Sequence, residues 1–215
     1  MTKIKELFEH YKIKKNEISK RLKEFESIIE KPDEEIFAEL AFCILTPQSK
    51  ATTAWNVIQS LTRNKLLYHG SENQIRPYLN AVRFADNKTK YLIEVRNKLM
   101  KNGKLNLKEI RQLKEDPVKL REWLVENIKG YGMKEASHFI RNIGLSKNQL
   151  AILDVHILRT LKEFGVIDEN TSTPSTKKKY LEIEAKMKDF SKELGIQLDE
   201  LDIALWSKET GFIFK

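Results

Sequence analysis

The 215-residue sequence holds a single cysteine, Cys43. That excludes an intramolecular disulfide, a cysteine-ligated zinc site and a four-cysteine iron–sulfur cluster within the chain. Only 8 glycines and 5 prolines interrupt it. No uncharged apolar run approaches the roughly 20 residues a spanning helix needs, so no membrane association is expected. The opening stretch, MTKIKELFEHYKIKK, is charged throughout and lacks the apolar segment of a secretory leader, which points to a cytoplasmic protein. His138 and His156 have no further ligand at helical spacing, so no metal site is expected.

What is present is charge and helical periodicity. Lysine plus arginine number 39 against 31 aspartate plus glutamate, a net charge of +8 that hints at an acidic partner. Apolar residues make up 40% of the chain, enough for one good core or two small ones. Ile36, Phe37, Leu40, Ala41, Ile44 and Leu45 repeat at helical spacing and predict a helix with a buried face, ended by Thr46-Pro47. Further helices are predicted over 51–61, along the Tyr91, Val95, Leu99 track, from Asp116-Pro117 onward, over 133–143, from Ile157 to Gly165, and over 180–194 and 198–208. TSTPST at 171–176 reads as a loop. No strand is predicted. The expected class is all-α, with two helical lobes.

The segment Ile128-Lys129-Gly130-Tyr131-Gly132-Met133-Lys134 places two glycines between two helices. Such a hairpin admits positive φ angles and leaves amides uncovered, and the next helix adds its own N-terminal amides. This suits a phosphate oxygen, although an ordinary helical hairpin has the same spacing. Lys134 falls in that helix's first turn, where the helix dipole disfavours a cation and favours the neutral, nucleophilic amine; a solvated surface lysine is the plainer alternative. Twenty residues on, Asp154 stands where a helix restarts after the apolar run Ala151-Ile152-Leu153. It is either an N-cap or a carboxylate facing the same cleft as Lys134.

GYGMKEASHFIRNIG followed by AILDVHILR resembles the helix-hairpin-helix DNA glycosylase superfamily. LTPQSKA at 45–51, KEASHF at 134–139, LDVH at 153–156 and a tryptophan followed by a tail ending in lysine are more narrowly similar to the type-2 8-oxoguanine DNA glycosylases. One departure is Lys129, where the superfamily often has proline before the hairpin glycine. The resemblance implies one glycosylase unit of two helical subdomains over 1–215, a helix-hairpin-helix at about 117–144 and an active-site cleft between the lobes. It implies removal of 8-oxoguanine from duplex DNA with associated lyase activity. Lys134 would be the nucleophile and Asp154 its acidic partner. Gly130 and Gly132 would hold DNA backbone, with Lys50 on a nearby phosphate. Gln48 would fill the gap left by the flipped base. Trp206 would stack on that base, with Asp202 and Lys215 reading it. No cofactor is implied beyond a monovalent cation at the hairpin. The partner is double-stranded DNA containing 8-oxoguanine, and the enzyme is expected to be an intracellular, nucleoid-associated monomer. An endonuclease III-like enzyme for oxidised pyrimidines and a non-catalytic helix-hairpin-helix DNA-binding protein are the competing readings.

Overall fold

The structure, a computed structural model, describes residues 2–215. Its α-helices are α1 (Thr2–Glu26), α2 (Asp33–Leu45), α3 (Ala51–Arg63), α4 (Leu66–His69), α5 (Glu72–Ile75), α6 (Ala85–Leu99), α7 (Lys108–Gln112), α8 (Pro117–Asn127), α9 (Met133–Asn142), α10 (Val155–Glu163), α11 (Lys177–Leu194) and α12 (Leu198–Thr210). The predicted starts are physically visible. Asp116 caps α8 by accepting the Lys119 amide at 3.0 Å, with Pro117 in its first turn.

Two expectations need correction. The chain contains a short antiparallel pair, β1 (Met100–Lys101) and β2 (Lys104–Leu105). Asn102 and Gly103 between them adopt φ values of 52° and 76°. An Asn-Gly pair with both φ angles positive is the turn that two-residue hairpins require, a local signal that apolar periodicity does not register. The second correction concerns α2, which shows more than one buried face. Every residue from Ile36 to Leu45 is buried, so this helix runs through the middle of a lobe.

The described residues form two apolar cores. One spans 29–150 and is centred on α2, α3, α6 and the hairpin helices α8 and α9. The other joins α1 to the later helices, through Leu7, Tyr11, Ile18 and Phe25 on one side and Ile157, Leu161, Met187 and Leu201 on the other. Tyr11 Oη donates to Glu200 Oε2 at 2.7 Å, tying α1 to α12 across the sequence. The second lobe is thus built from both ends of the chain, with the first lobe inserted between them.

The lobes are joined by a buried ion pair. Arg121 on α8 meets Glu184 on α11, with Nη1 to Oε2 at 2.6 Å and Nη2 to Oε1 at 3.1 Å. Glu184 Oε2 also accepts the Ala151 amide at 2.9 Å. Removing one partner of a buried pair leaves an uncompensated charge, which costs about 3–5 kcal/mol. Arg121→Met is therefore expected to lower unfolding free energy by about that amount, read from urea denaturation. A loss under about 1 kcal/mol would show that the pair does not hold the lobes. At the other end of the hairpin, Gly144 (φ +72°) passes so close to α1 that an added Cβ would lie 2.3 Å from the Glu26 Cα. No side chain fits there.

Candidate active site

The hairpin between α8 and α9 is anchored by the residue between its glycines. Tyr131 is buried in the first lobe, and its hydroxyl donates to the Leu40 carbonyl of α2 at 2.9 Å. Gly130 adopts φ +89°, and an added Cβ would meet the Tyr91 ring at 2.8 Å, so glycine is required. Gly132 differs from the expectation of paired positive φ angles: it is extended, at φ −108°. The hairpin amides are also less open than expected. The Tyr131 amide donates to the Ile128 carbonyl at 3.1 Å, and the Gly132 amide donates to Glu135 Oε2 at 3.2 Å. Free amides remain one step later, in the first turn of α9, where helix geometry leaves them without intrahelical acceptors.

Lys134 is half-buried in that turn, and its Nζ lies 2.8 Å from Glu135 Oε1. Glu135 therefore binds the hairpin with one oxygen and the lysine with the other. Nothing in the sequence pattern distinguishes it from the other acidic residues.

Asp154 caps α10. Its Oδ1 accepts the amides of His156 at 2.9 Å and Ile157 at 2.8 Å. The extended segment leading to it is clamped from α11, where Tyr180 Oη donates to the Ala151 carbonyl at 2.7 Å and accepts the Leu153 amide at 3.3 Å. Asp154 is thus placed by two connected supports, its own cap and the Tyr180 clamp.

Lys134 and Asp154 line one cavity between the lobes, of about 1230 Å³. Gln48, Lys50, Gly132, Asp202, Trp206 and Lys215 line it too, so the structure brings together every sequence-derived site residue except Gly130, which is exposed and is not part of the lining. Gln48 and Lys50 are exposed at its mouth. On the far wall Trp206 packs edge-on against Phe212, with centroids 5.3 Å apart, and the tail continues through buried Ile213 to Phe214 against Phe42. The tail is docked, as its Phe-Ile-Phe run suggests. Lys215 turns inward from the cavity. Its Nζ pairs with Glu39 and sits 3.4 Å from the Trp55 ring centroid. Burial pushes this amine below its ordinary value, while Glu39 opposes the shift.

Asp202 is buried and is not on a solvated face. Its Oδ2 lies 3.4 Å from Arg141 Nη1, and its Oδ1 has no hydrogen-bond partner among the described residues. Burial, partly opposed by Arg141, pushes its carboxyl up from 3.8 to about 7. His138, considered from the sequence only as a metal ligand, also lines the cavity, and among the described residues its Nε2 has no partner. Burial and the nearby Arg141 and Lys134 hold its pKa well below the usual value.

Because the folded Asp202 binds its proton more tightly than the unfolded chain does, it favours folding at low pH. That contribution is lost as pH rises from near 4 to about 7. Asp202→Asn should therefore gain in Tm relative to the natural chain as pH rises from about 4 to about 7. Parallel Tm profiles for the two proteins would contradict the buried, proton-binding carboxyl.

A glycine hairpin that delivers a lysine into an interlobe cleft, opposite a helix-capping aspartate, defines a helix-hairpin-helix glycosylase fold. Comparison with known proteins agrees. The family model described as 8-oxoguanine DNA glycosylase (Ogg-HhH) matches residues 18–196. The chain is 48% identical over 206 residues to the 8-oxoguanine DNA glycosylase/AP lyase of Fusobacterium nucleatum, covering 95% of this chain and 94% of that protein. The crystal structure of the Methanocaldococcus jannaschii 8-oxoguanine glycosylase/lyase, in complex with a 15mer DNA containing 8-oxoguanine, superimposes with a TM-score of 0.86. It is 36% identical and covers 100% of both chains. The 8-oxoguanine DNA glycosylase of Thermotoga maritima gives a TM-score of 0.85 at 31% identity, covering 99% of this chain and 98% of that one. The chain belongs to the 8-oxoguanine DNA glycosylase (Ogg-HhH) family.

Proposed function

We propose that this protein is a bifunctional repair enzyme that excises 8-oxoguanine from duplex DNA and cleaves the strand at the resulting abasic site. The observation that carries this reading is the convergence of Lys134, Asp154 and the Trp206–Lys215 tail on one interlobe cavity. Lys134 gives up its ion pair with Glu135 and a proton, and its amine attacks C1′ of the lesion nucleotide. The C1′–base bond breaks as the C1′–Nζ bond forms, and the base leaves with the bonding electrons and a proton. Ring opening gives a Schiff base, which acidifies the 2′ carbon, and loss of that proton expels the 3′ phosphate. Asp154 takes the amine's proton and passes it to the departing base, and the regenerated carboxylate stabilises the oxocarbenium-like charge on the sugar. Its Oδ1 is already occupied by two amides, which fixes the carboxylate before substrate arrives.

The lesion base must leave the stack to reach this cavity. Gln48 fills the vacated space, and the α9 amides beside Gly132, with Gly130 and Lys50, bind the backbone. Trp206 stacks on the base. Asp202 Oδ1, buried and unpartnered, reads the base edge, and guanine is rejected because it lacks the N7–H that the lesion offers. Lys215 acts through its ion pair with Glu39, which fixes the tail as a wall of the pocket. The chain works as a single two-lobed unit, monomeric and intracellular. Borohydride trapping on duplexes carrying 8-oxoguanine, thymine glycol or no lesion tests the reading. A reduced adduct is expected with 8-oxoguanine, and little or none with the other two. Preferential trapping on thymine glycol would assign the enzyme to oxidised pyrimidines instead.

A further inference from the structure

Lys88, in the first turn of α6, is only 3% exposed and has no part in the chemistry above. An ammonium has three donors and no acceptor. Here all three are used: on the Leu45 carbonyl at 2.7 Å, the Pro47 carbonyl at 2.8 Å and the Ser49 hydroxyl at 3.0 Å. Every partner is neutral, so the buried cation is held by the loop's own dipoles with no carboxylate. Leu45 is the last residue of α2, whose terminal carbonyls lack intrahelical donors. Lys88 therefore satisfies the end of α2 and the first half of the loop that bears Gln48.

The same Ser49 hydroxyl accepts the Arg83 amide at 3.0 Å, which joins this loop to the turn before α6. Each of the two segments carries a non-glycine residue in the left-handed region, Gln48 at φ 54° and Phe84 at φ 59°. Both side chains are exposed, Phe84 by 52%. Such conformations persist only where the surroundings over-determine them. Here the surroundings are Lys88 and Ser49. Burial lowers the Lys88 pKa to about 8, with Lys134 adding to the effect and Glu135 opposing it. A neutral amine would offer two donors to three acceptors, so the loop depends on the charged form.

We propose that Lys88 is a positioning residue for base extrusion, holding the Gln48 loop and the Phe84 turn together as a preformed pair that faces the duplex. This rests on the reading of the Gln48 loop as the element that enters the duplex. The test compares two activities of each variant in single-turnover assays. One is excision of 8-oxoguanine from a duplex. The other is cleavage of the same duplex at a preformed abasic site, which has no base to unstack. Lys88→Met should slow excision by about tenfold or more while abasic-site cleavage changes by less than about twofold. Ser49→Ala removes the hydroxyl that links the two segments and leaves the charge in place. It should show the same selective loss at about threefold, which keeps the test open if Lys88→Met does not fold.

Equal loss of both activities in Ser49→Ala and in folded Lys88→Met would mark a structural role only and overturn the proposal, as would no loss of either. Gln48→Ala separates the proposal from the reading beneath it. If Gln48→Ala loses excision selectively and the Lys88 and Ser49 variants do not, the inserting loop stands and Lys88 does not position it. If the Lys88 and Ser49 variants lose excision selectively and Gln48→Ala does not, positioning by Lys88 stands and another group of the pair enters the duplex.

Discussion

Lys134→Gln is expected to abolish borohydride trapping and to lower both base excision and strand cleavage by on the order of 10³-fold or more. Glutamine keeps a polar, hydrogen-bonding end on a side chain one atom shorter, but it cannot form a Schiff base. Its amide can still reach Glu135, whose other oxygen holds the Gly132 amide, so the hairpin should keep its shape. DNA affinity, measured by fluorescence anisotropy on an 8-oxoguanine duplex, should therefore change by less than about threefold, because backbone contacts supply most of it. The combination separates a nucleophile from a phosphate contact. A lysine that met only phosphate would weaken binding and reduce its salt dependence without eliminating the covalent adduct.

Asp154→Asn should lower excision by about 10²–10⁴-fold and leave stability nearly unchanged. The residue has two jobs that this substitution divides. As a cap it accepts the His156 and Ile157 amides through Oδ1. Asparagine caps about as well as aspartate, so the start of α10 and the Tyr180-clamped segment before it should hold. As a carboxylate it takes a proton and stabilises positive charge on the sugar, and asparagine does neither. Asp154→Ala should add a stability loss of about 1 kcal/mol from the missing cap. Urea denaturation and single-turnover excision on the two variants read the jobs separately. If Asp154→Asn excised at the natural rate, the residue would be a cap and nothing more.

The legible parts of the structure were those set by neighbours in sequence. Periodicity gave the helices, Asp116-Pro117 the start of α8, and the Gly130–Gly132 spacing the hairpin, because helix faces, caps and turns are decided within a few residues. Lys134 and Asp154 were legible for a related reason: each sits at a helix start that local signals mark, and the family resemblance joined them. The features missed depend on contacts distant in sequence. Nothing in the α1 sequence says that it pairs with α12. Asp202 looks like a solvated acid until the Arg141 pair and its burial are seen. Lys88 is one of 39 basic residues, and only its three loop acceptors set it apart. The Tyr180 clamp and the Arg121–Glu184 pair are similarly invisible, since a buried polar group is defined by its partners. Asn102-Gly103 was different: its turn chemistry was local and readable, but it lay outside the helical period being followed.

The most direct measurement locates the covalent bond. The enzyme is reduced with borohydride on an 8-oxoguanine duplex, digested with trypsin and nuclease, and the modified peptide is sequenced by mass spectrometry. The expected product is a single peptide with a deoxyribose-derived mass on Lys134, in the hairpin segment Gly130-Tyr131-Gly132-Met133-Lys134-Glu135. Attachment at Lys50, Lys88, Lys215 or any other amine, with Lys134 unmodified, would contradict the assignment of the nucleophile and the mechanism built on it.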